Sequence, residues 1–530
     1  MIDIFMLIMV IALAVIILII NIYLLAYYCA EDDNDCGGGF FSKIIAVLGM
    51  FIGLGQICLL PLDVSNTRGD GGEFRMDVLW KITYILIVVF VFFIIPLAIS
   101  IYECDPEWTF MQKLSNSFCF FICEVVVVAC LFGITYLLWN KAHIPITSLK
   151  CSINTDDIFS DSSTEITSEN ESSFTGLCGK AKDTEIKIKV SFAVYIIALL
   201  SVISYILFMI FGGVGFFSFP LDLIYSFCTR PIKIKPAKLE EMKKEIVITA
   251  ADLKDLGMQL KQLEAKGHHN KNMFSKEKRH YNQLLKELKV GVAVIDEQFQ
   301  IINMQSLANQ TSALGYLLQL IAGIFCIILS ILWIFQILFY IIIKRKGRPL
   351  FKFLNIPLVK LTDANLSFLA ICIFTVLSLY LLLITIKGNF KFGIRIMILG
   401  SIHPMKKDNT YMNSILFNVM LVMLTSVSVI QFSIRAFGEY TSLTDADIIF
   451  NTQIKYLSFY RFFFNNNIFE YGLLIIAIIS FIYLICRPND TNTVRKILYK
   501  KFENDKKANE AGKGTEIEMT IKDSNSINEN

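Results

Sequence analysis

Long uninterrupted apolar runs constrain this chain more than any other feature of its sequence. They reach about twenty residues or more, the length that an α-helix needs to cross roughly 30 Å of hydrocarbon. The chain is 55% hydrophobic and 18% charged, whereas soluble domains are roughly a quarter charged. An isolated strand would leave its backbone groups unpaired in lipid. We therefore predict an all-α protein, a polytopic bundle of membrane helices.

About nine runs qualify as spans, five before a polar segment and four after it. The predicted spans are Ile4–Tyr28, Ile44–Leu60, Val78–Ile101, Phe118–Trp139, Val190–Ile210, Leu318–Ile343, Leu366–Ile386, Ile415–Phe432 and Ile468–Cys486. The predicted organisation is an N-terminal membrane bundle (1–229), a soluble segment (230–312), a C-terminal membrane bundle (313–486) and a disordered tail (487–530).

The distribution of basic residues favours one orientation of these spans. An odd number of spans places the two termini on opposite sides. With the N-terminus outside or lumenal and the C-terminus cytosolic, most Lys and Arg residues lie inside, as in other membrane proteins. The sequence KRKGR at 344–348 is the exception, because this topology places it outside.

The predicted outside loop at 140–188 is rich in Ser, Thr, Asp and Asn and has too few apolar residues for a core of its own. It contains a glycosylation sequon at Asn170, which has meaning only in a lumenal or extracellular loop. Cys151 and Cys178 flank the same polar stretch, and a disulfide between them requires an oxidising compartment. Whether they are bonded stays open at this point.

The soluble segment carries apolar residues in a heptad rhythm on both sides of the sequence KGHHNKN. This pattern predicts two helices that form an antiparallel, coiled-coil-like hairpin. The β-branched residues at 290–295 leave a short strand open as the alternative for the second arm. A cytosolic protein partner on 230–312 is the expected use of such a surface.

Ionisable groups in the apolar runs are the candidate functional residues, since a charge in hydrocarbon is costly and marks a site or a structural pair. Asp63 and Asp222 each follow a Pro-Leu pair at a predicted span end. Glycines and Pro220 precede Asp222. That stretch indicates either a helix end with a carboxylate reaching the interface or a broken helix that lines a site.

Glu124 lies near the middle of the fourth predicted span. A transport or proton-relay site and a hydrogen bond between helices are equally compatible with its position. Arg395 and His403 lie at the entrance to the eighth span. His403 could titrate near neutral pH, but a structural hydrogen bond is the expected role.

The sequence contains no phosphate-binding loop, dinucleotide fingerprint, nucleophile elbow or HExxH motif. No cysteine or histidine cluster has the spacing of a metal site. We therefore expect no enzymatic activity, no cofactor, no metal and no nucleic-acid partner. The lipid bilayer is the expected environment.

Three sequence blocks together resemble the limb-region/lipocalin-interacting membrane receptor (LIMR) family, and its plant and protist branch in particular. They are LPLDVSNTR at Leu60–Arg68, the stretch Gly212–Pro231, and IHPMKKDNTYMNSILFN at Ile402–Asn418. The lysosomal protein needed for cobalamin export is a remote relative of that family.

The resemblance implies a receptor, or a trafficking or signalling adaptor, for endocytosed ligands in the plasma or an endolysosomal membrane. It implies a protein ligand on the external loops and no catalytic residue. The alternative is a transporter of cobalamin or another small solute that uses the intramembrane carboxylates.

Overall fold

The computed structural model describes most of the apolar part of the chain. The described residues are 4–30, 38–68, 75–105, 107–148, 182–228, 236–269, 313–345, 348–392, 395–396, 400–401, 405 and 410–486, with single positions between 285 and 302. Arg395 lies in a described strand, but its side chain lies outside the described set, as do Asn170, Cys151, Cys178, His403 and the tail from 487.

Helices form nearly all of the described structure, which confirms the all-α polytopic prediction. They are α1 (Ile4–Tyr28), α2 (Gly38–Gly55), α3 (Leu59–Arg68), α4 (Met76–Val89), α5 (Ile95–Tyr102), α6 (Phe110–Trp139), α7 (Phe192–Cys228), α8 (Pro236–His269), α9 (Ala313–Gln336), α10 (Asn355–Asp363), α11 (Ser367–Phe392), α12 (Met412–Ala436), α13 (Asp445–Asp447), α14 (Tyr460–Asn465) and α15 (Ile468–Cys486). Three π-helical stretches interrupt or extend them: Phe90–Ile94, Ile337–Ile342 and Ile448–Ile454.

Nine stretches within the described residues are long and apolar enough to cross a membrane, as predicted. They are Leu7–Tyr28, Gly39–Thr67, Met76–Tyr102, Phe110–Trp139, Phe192–Cys228, Leu314–Ile342, Ser367–Lys391, Met412–Ala436 and Ile468–Cys486. A short 3₁₀ turn joins α2 to α3 in the second span, and a π-helix joins α4 to α5 in the third. Seven of these spans are three to sixteen residues longer than predicted, the ninth has the predicted bounds, and the first is three residues shorter.

Contacts between connecting segments agree with alternating crossings. The backbone N–H of His143, after the fourth span, donates to the carbonyl of Tyr456, before the ninth, at 2.8 Å. The N–H of Thr410, before the eighth span, donates to the carbonyl of Tyr28, at the end of the first, at 3.1 Å. Each pair is separated by an even number of spans, so each must share one side. We call the side of His143 and Tyr456 face A and the side of Tyr28 and Thr410 face B.

Helix α12 forms the centre of the packed spans. Of its most apolar window, 89% is buried, the largest share of the nine. Gly53 of α2 lets the two helices touch, because a Cβ there would lie 3.2 Å from the Met423 Cα. Gln56 Nε2 donates to Ser426 Oγ at 2.5 Å, and Ser428 Oγ donates to the Ser204 carbonyl at 3.0 Å. The small and polar residues of α12 are therefore used in helix packing.

Helix α7 continues through Pro220 for 37 residues, so the expectation that the helix ends or breaks at this proline is wrong. Pro220 has no N–H to donate to the carbonyl of Phe216, four residues earlier. The Ser330 hydroxyl on α9 donates to that carbonyl instead, at 2.7 Å. The hydrogen bond that proline removes is thus replaced by a neighbouring helix.

The glycines before Pro220 serve close packing. A Cβ on Gly215 would overlap the carbonyl oxygen of Ile384 on α11, and one on Gly388 of α11 would overlap the carbonyl oxygen of Phe211. Both are backbone atoms that cannot rotate away. The backbones of α7 and α11 are therefore in direct contact, which only glycine permits at these two positions.

The connection after the fourth span begins and ends as strands, where the sequence predicted only a polar loop. Strand β1 (Lys141–Ser148) pairs antiparallel with β2 (Lys182–Lys189), with Lys141 opposite Lys189 and Ser148 opposite Lys182. The alternation in HIPIT and EIKIK explains the extended conformation. Two further pairs of two-residue strands are β3 (Lys344–Arg345) with β4 (Arg348–Pro349), and β5 (Arg395–Ile396) with β6 (Gly400–Ser401).

The described residues divide into two compact units. The first contains the chain up to Phe219 and from Ile328 onward, so spans before and after the soluble segment pack together. The second contains Pro220–Ile327. In it, α8 lies where the first arm is predicted, and the described positions of the second arm, such as Val292 and Ile295, are helical and not extended. Antiparallel packing of the two arms stays a prediction.

Candidate functional site

Asp63 lies at the face A end of the second span, and its carboxylate is fully engaged. Asp63 is 1% exposed to solvent. Trp80 Nε1 donates to Oδ2 at 2.9 Å. The backbone N–H of Ala446 donates to Oδ2 at 3.0 Å and that of Asp445 to Oδ1 at 3.3 Å.

These two amides begin α13, which runs directly into the π-helix Ile448–Ile454. A carboxylate at the first amides of a helical segment is favoured by the helix dipole and supplies acceptors to otherwise unpaired N–H groups. Thr444 caps the same terminus, since its Oγ1 accepts the N–H of Asp447 at 3.2 Å. Asp63 therefore fixes the start of the segment between the eighth and ninth spans.

Glu124 lies on the wall of an open cleft in the face B half of α5, α6 and α12. The volume of this α6 cleft is about 690 Å³, and its lining includes Ser100, Glu103, Trp108, Ser117, Phe120 and Glu124. Among the described residues, none donates a hydrogen bond to the Glu124 carboxylate or forms an ion pair with it. Within the described part of the chain, Glu124 therefore does not form the hydrogen bond between helices that the sequence allowed.

The floor of the α6 cleft consists of polar side chains that contact one another or neighbouring backbone carbonyls. Cys104 Sγ donates to the carbonyl of Ser100 at 3.3 Å and lies 3.6 Å from Ser117 Oγ. Asn413 Nδ2 of α12 donates to Glu103 Oε1 at 3.5 Å. The cleft thus combines carboxylates, a thiol and hydroxyls with aromatic walls.

Neither Asp63 nor Asp222, the other two predicted site residues whose side chains are described, lines this cleft. Asp222 lies within α7, has an electrostatic or hydrogen-bonding partner, and belongs to the second unit. Arg395 begins β5. Asn170, Cys151, Cys178 and His403 lie outside the described residues, so their predicted roles stay predictions.

Sequence reasoning missed the ion pair of Arg435 and Glu470. Arg435 Nη1 lies 2.6 Å from Glu470 Oε1, and the two side chains are 11% and 0% exposed. Arg435 Nη2 also donates to the Phe464 carbonyl at 2.8 Å and to Asn467 Oδ1 at 2.5 Å. The available signal was a carboxylate in the first turn of the ninth apolar run and an arginine just beyond the eighth.

Positive charge accumulates beside this pair on face A. Burial, and then the charge of Arg435, lowers the pKa of Lys455 to about 8. Burial likewise lowers the pKa of Lys344. Asp447 lies in the same segment, and burial raises the pKa of its carboxyl group. Burial therefore disfavours the charged form of each of these three groups.

The β1–β2 hairpin is fastened to the segment that Asp63 anchors. Glu185 Oε1 accepts from Arg461 Nη1 at 2.6 Å, and Glu185 Oε2 lies 3.1 Å from His143 Nδ1. The hydrogen bonds from Arg461 and then His143 lower the pKa of Glu185. The N–H and hydroxyl of Ser458 both donate to the Lys141 carbonyl, at 3.0 and 2.6 Å.

The hairpin and the segment 437–467 together form a surface outside the spans, which we call the face A platform. Trp139 stacks on Phe459 at 4.8 Å between ring centroids and connects the platform to the fourth span. Within the described residues, no group of three or more His, Cys, Asp and Glu could hold a metal ion. Ten described cysteines are free thiols.

Comparison with known proteins gives matches over almost the whole chain. The profile described as LMBR1-like membrane protein matches residues 6–313 and 269–484. A LIMR family protein of Dictyostelium discoideum is 31% identical over 92% of this chain and 99% of its own length. A LIMR family protein of Arabidopsis thaliana is 32% identical over 91% and 95%, and one of rice 30% over 87% and 92%. No solved structure matches significantly.

Proposed function

The chain belongs to the LMBR1-like, or LIMR, family of multi-pass membrane proteins, and we propose that it acts as a receptor or as a trafficking or signalling adaptor for endocytosed ligands. In this proposal it has no enzymatic activity. Face A is outside or lumenal, face B is cytosolic, and the membrane is the plasma membrane or an endolysosomal membrane.

The face A platform is the observation that carries the proposal. The Glu185–Arg461 contact and the Ser458–Lys141 hydrogen bonds hold the hairpin against the platform segment. The hairpin in turn carries residues 149–181 between its two strands. A fixed base with a long insertion is a suitable support for binding a protein ligand.

The contacts made by the other buried carboxylates support a receptor more than a transporter. Asp63 accepts three hydrogen bonds and Glu470 is paired with Arg435. Because these carboxylates are engaged in fixed contacts, they are poorly suited to exchange a substrate or a proton.

The soluble segment supports an adaptor role on face B. Val247, Ile248 and Met258 of α8 are 67%, 64% and 50% exposed. Apolar residues four and eleven positions apart lie on one side of a helix, so Val247 and Met258 belong to one stripe. A cytosolic helix that offers such a stripe fits a partner with a complementary groove.

The adaptor role can be tested by introducing charges at exposed apolar positions of α8 in the full-length chain. We expect Val247→Asp with Ile248→Asp to abolish cross-linking to cytosolic partners in intact cells, while the protein still reaches its membrane. Lys243→Asp with Lys244→Asp is the control, since both lysines are exposed on the same helix. Identical partners for the wild type and the Val247/Ile248 variant would reject the adaptor role.

The receptor role and its orientation have a separate test. A single cysteine placed in residues 149–181 should react with an impermeant thiol reagent from outside the cell, or from the lumen of isolated vesicles. A cysteine in α8 should not react. The reverse pattern would place the platform in the cytosol and exclude binding of endocytosed ligands there.

Glu124 favours a second candidate function, the transport of a small solute. Its carboxylate reaches an open cleft within a span and has no partner among the described residues. Solute flux into vesicles containing the purified protein should then fall for Glu124→Gln. Wild-type flux in this variant and in Asp222→Asn would remove both carboxylates from any transport mechanism.

A further inference from the structure

We propose that the α6 cleft is a binding site for an organic ammonium compound that enters from the bilayer. This inference does not rest on the receptor or adaptor function, nor does it require transport. It follows from the volume of the cleft, its access, its charge and its aromatic walls.

The cleft has the dimensions of a ligand site and access from lipid. Its volume of about 690 Å³ falls within the ~300–1,000 Å³ typical of small-molecule sites. Helix α6, which forms one wall, is nearly unburied: only Lys113, Ser117 and Phe132 along its 30 residues are buried. An amphiphile in the membrane can therefore reach the cleft without crossing the packed centre around α12.

The ionisable groups of the lining carry negative charge only. Glu103, Asp105 and Glu124 all line the cleft, and no lysine, arginine or histidine that the structure describes does so. Glu103 accepts from Asn413, and Asp105 Oδ1 accepts the backbone N–H of Glu107 at 3.1 Å. These are neutral donors, so no contact within the described residues cancels the charge. A carboxylate at the depth of Glu124 is costly in hydrocarbon unless a cation accompanies it.

The aromatic residues of the cleft favour the same type of ligand. Trp108, Phe120 and Phe121 all line it. The negative faces of aromatic rings attract quaternary and primary ammonium groups, and rings also accept alkyl chains. The fixed floor of Cys104 and Ser117 keeps one end of the cleft polar.

Other ligand classes fit less well. Anions would meet three carboxylates. The described residues contain no group that could hold a metal ion. A neutral hydrocarbon would leave Glu124 without compensation. An ammonium group on an apolar body satisfies both the carboxylates and the rings, whether it belongs to a free lipophilic amine or to a lipid headgroup.

Quenching of tryptophan fluorescence tests the proposal on the purified full-length chain in a nonionic detergent. The probes are dodecylamine and dodecanol that carry bromine on the chain, which quenches nearby indoles. Trp108 lines the cleft, whereas Trp80 and Trp333 are fully buried elsewhere. We expect the bromoamine to quench the tryptophan fluorescence of the wild type at a lower concentration than the bromoalcohol does. We expect Trp108→Phe to remove the part of this quenching that saturates with bromoamine concentration.

We expect Glu124→Gln to weaken bromoamine binding by at least about tenfold, because it removes the carboxylate that lines the cleft from within the fourth span and has no partner among the described residues. Glu107→Gln is the control, since Glu107 is exposed and does not line the cleft. Equal quenching by amine and alcohol in the wild type would overturn the proposal without any variant. So would unchanged binding in a folded Glu124→Gln protein.

Competition identifies the source of the ammonium group. Short-chain phosphatidylethanolamine and short-chain phosphatidylglycerol are titrated against bound bromoamine. Displacement by the ethanolamine lipid alone assigns the cleft to a lipid headgroup, and displacement by neither assigns it to a free amine. Equal displacement by both lipids would show binding through the acyl chains only and would overturn the proposal.

Discussion

Asp63→Asn should loosen the junction between the second span and the face A platform. Asp63 uses both carboxylate oxygens: Oδ2 accepts from Trp80 and Ala446, and Oδ1 accepts from Asp445. Asparagine offers one oxygen, and its amide hydrogens would face N–H groups that also donate. At least one hydrogen bond to a charged acceptor is lost, and the helix terminus loses its anion.

The expected loss of stability follows from these contacts. A hydrogen bond to a charged group contributes about 1.5–3 kcal/mol. An anion at a helix N-terminus contributes about 0.3–1 kcal/mol more. We therefore expect Asp63→Asn to lower the free energy of unfolding by about 2–4 kcal/mol. The effect should be largest for residues 445–454, whose first amides lose their acceptor.

Two measurements on the purified protein check this expectation. Heat denaturation in detergent reports the overall loss, and hydrogen exchange read by mass spectrometry reports the local one. Asp77→Asn is the matched control. Asp77 lies 3.5 Å from Lys81 in a partly exposed pair, and such pairs contribute about 0–1 kcal/mol. Equal denaturation temperatures for the two variants, with unchanged exchange at 445–454, would refute the role given to Asp63.

Three further outcomes follow from other contacts. Glu470→Gln should destabilise the protein by about 3–5 kcal/mol in heat denaturation, because it leaves the buried charge of Arg435 without a counter-ion. Glu439→Gln removes a surface pair with Lys352 and should change the stability little. Gly215→Ala should prevent accumulation of folded protein, whereas Gly133→Ala, where nothing lies within 4 Å of the added carbon, should not. The pKa of the Glu185 carboxyl group is lowered from its usual 4.5 in the folded protein. The stability that its contacts contribute is therefore fully present above pH 4.5 and is lost as the pH falls below that value. Hydrogen exchange of β2 should rise in acid, and Glu185→Gln should remove that dependence.

The nine spans could be predicted from sequence because their signal is local. Hydrophobic length is set by the bilayer and does not depend on which helices are neighbours. The same locality explains the error at Pro220. The proline rule describes an isolated helix, whereas Ser330, 110 residues further along the chain, supplies the missing hydrogen bond to Phe216.

The candidate site was less predictable than the fold. Glu124 and Asp63 were both selected because they are charges in apolar runs, yet one lies in an open cleft and the other in a closed set of hydrogen bonds. The partners that separate the two cases come from distant parts of the chain: Trp80 from the third span and Ala446 from the segment between the eighth and ninth spans. Neither hydropathy nor spacing contains that information.

The pairing of Ser148 with Lys182 has a consequence for how this chain can evolve. Because the last rung of the ladder brings the two ends of residues 149–181 together, the separation of those ends is independent of how many residues connect them. Insertions and deletions there can accumulate without disturbing the membrane helices, so this is where related chains should differ most in length. It is also the place to introduce an epitope tag or a fluorescent protein.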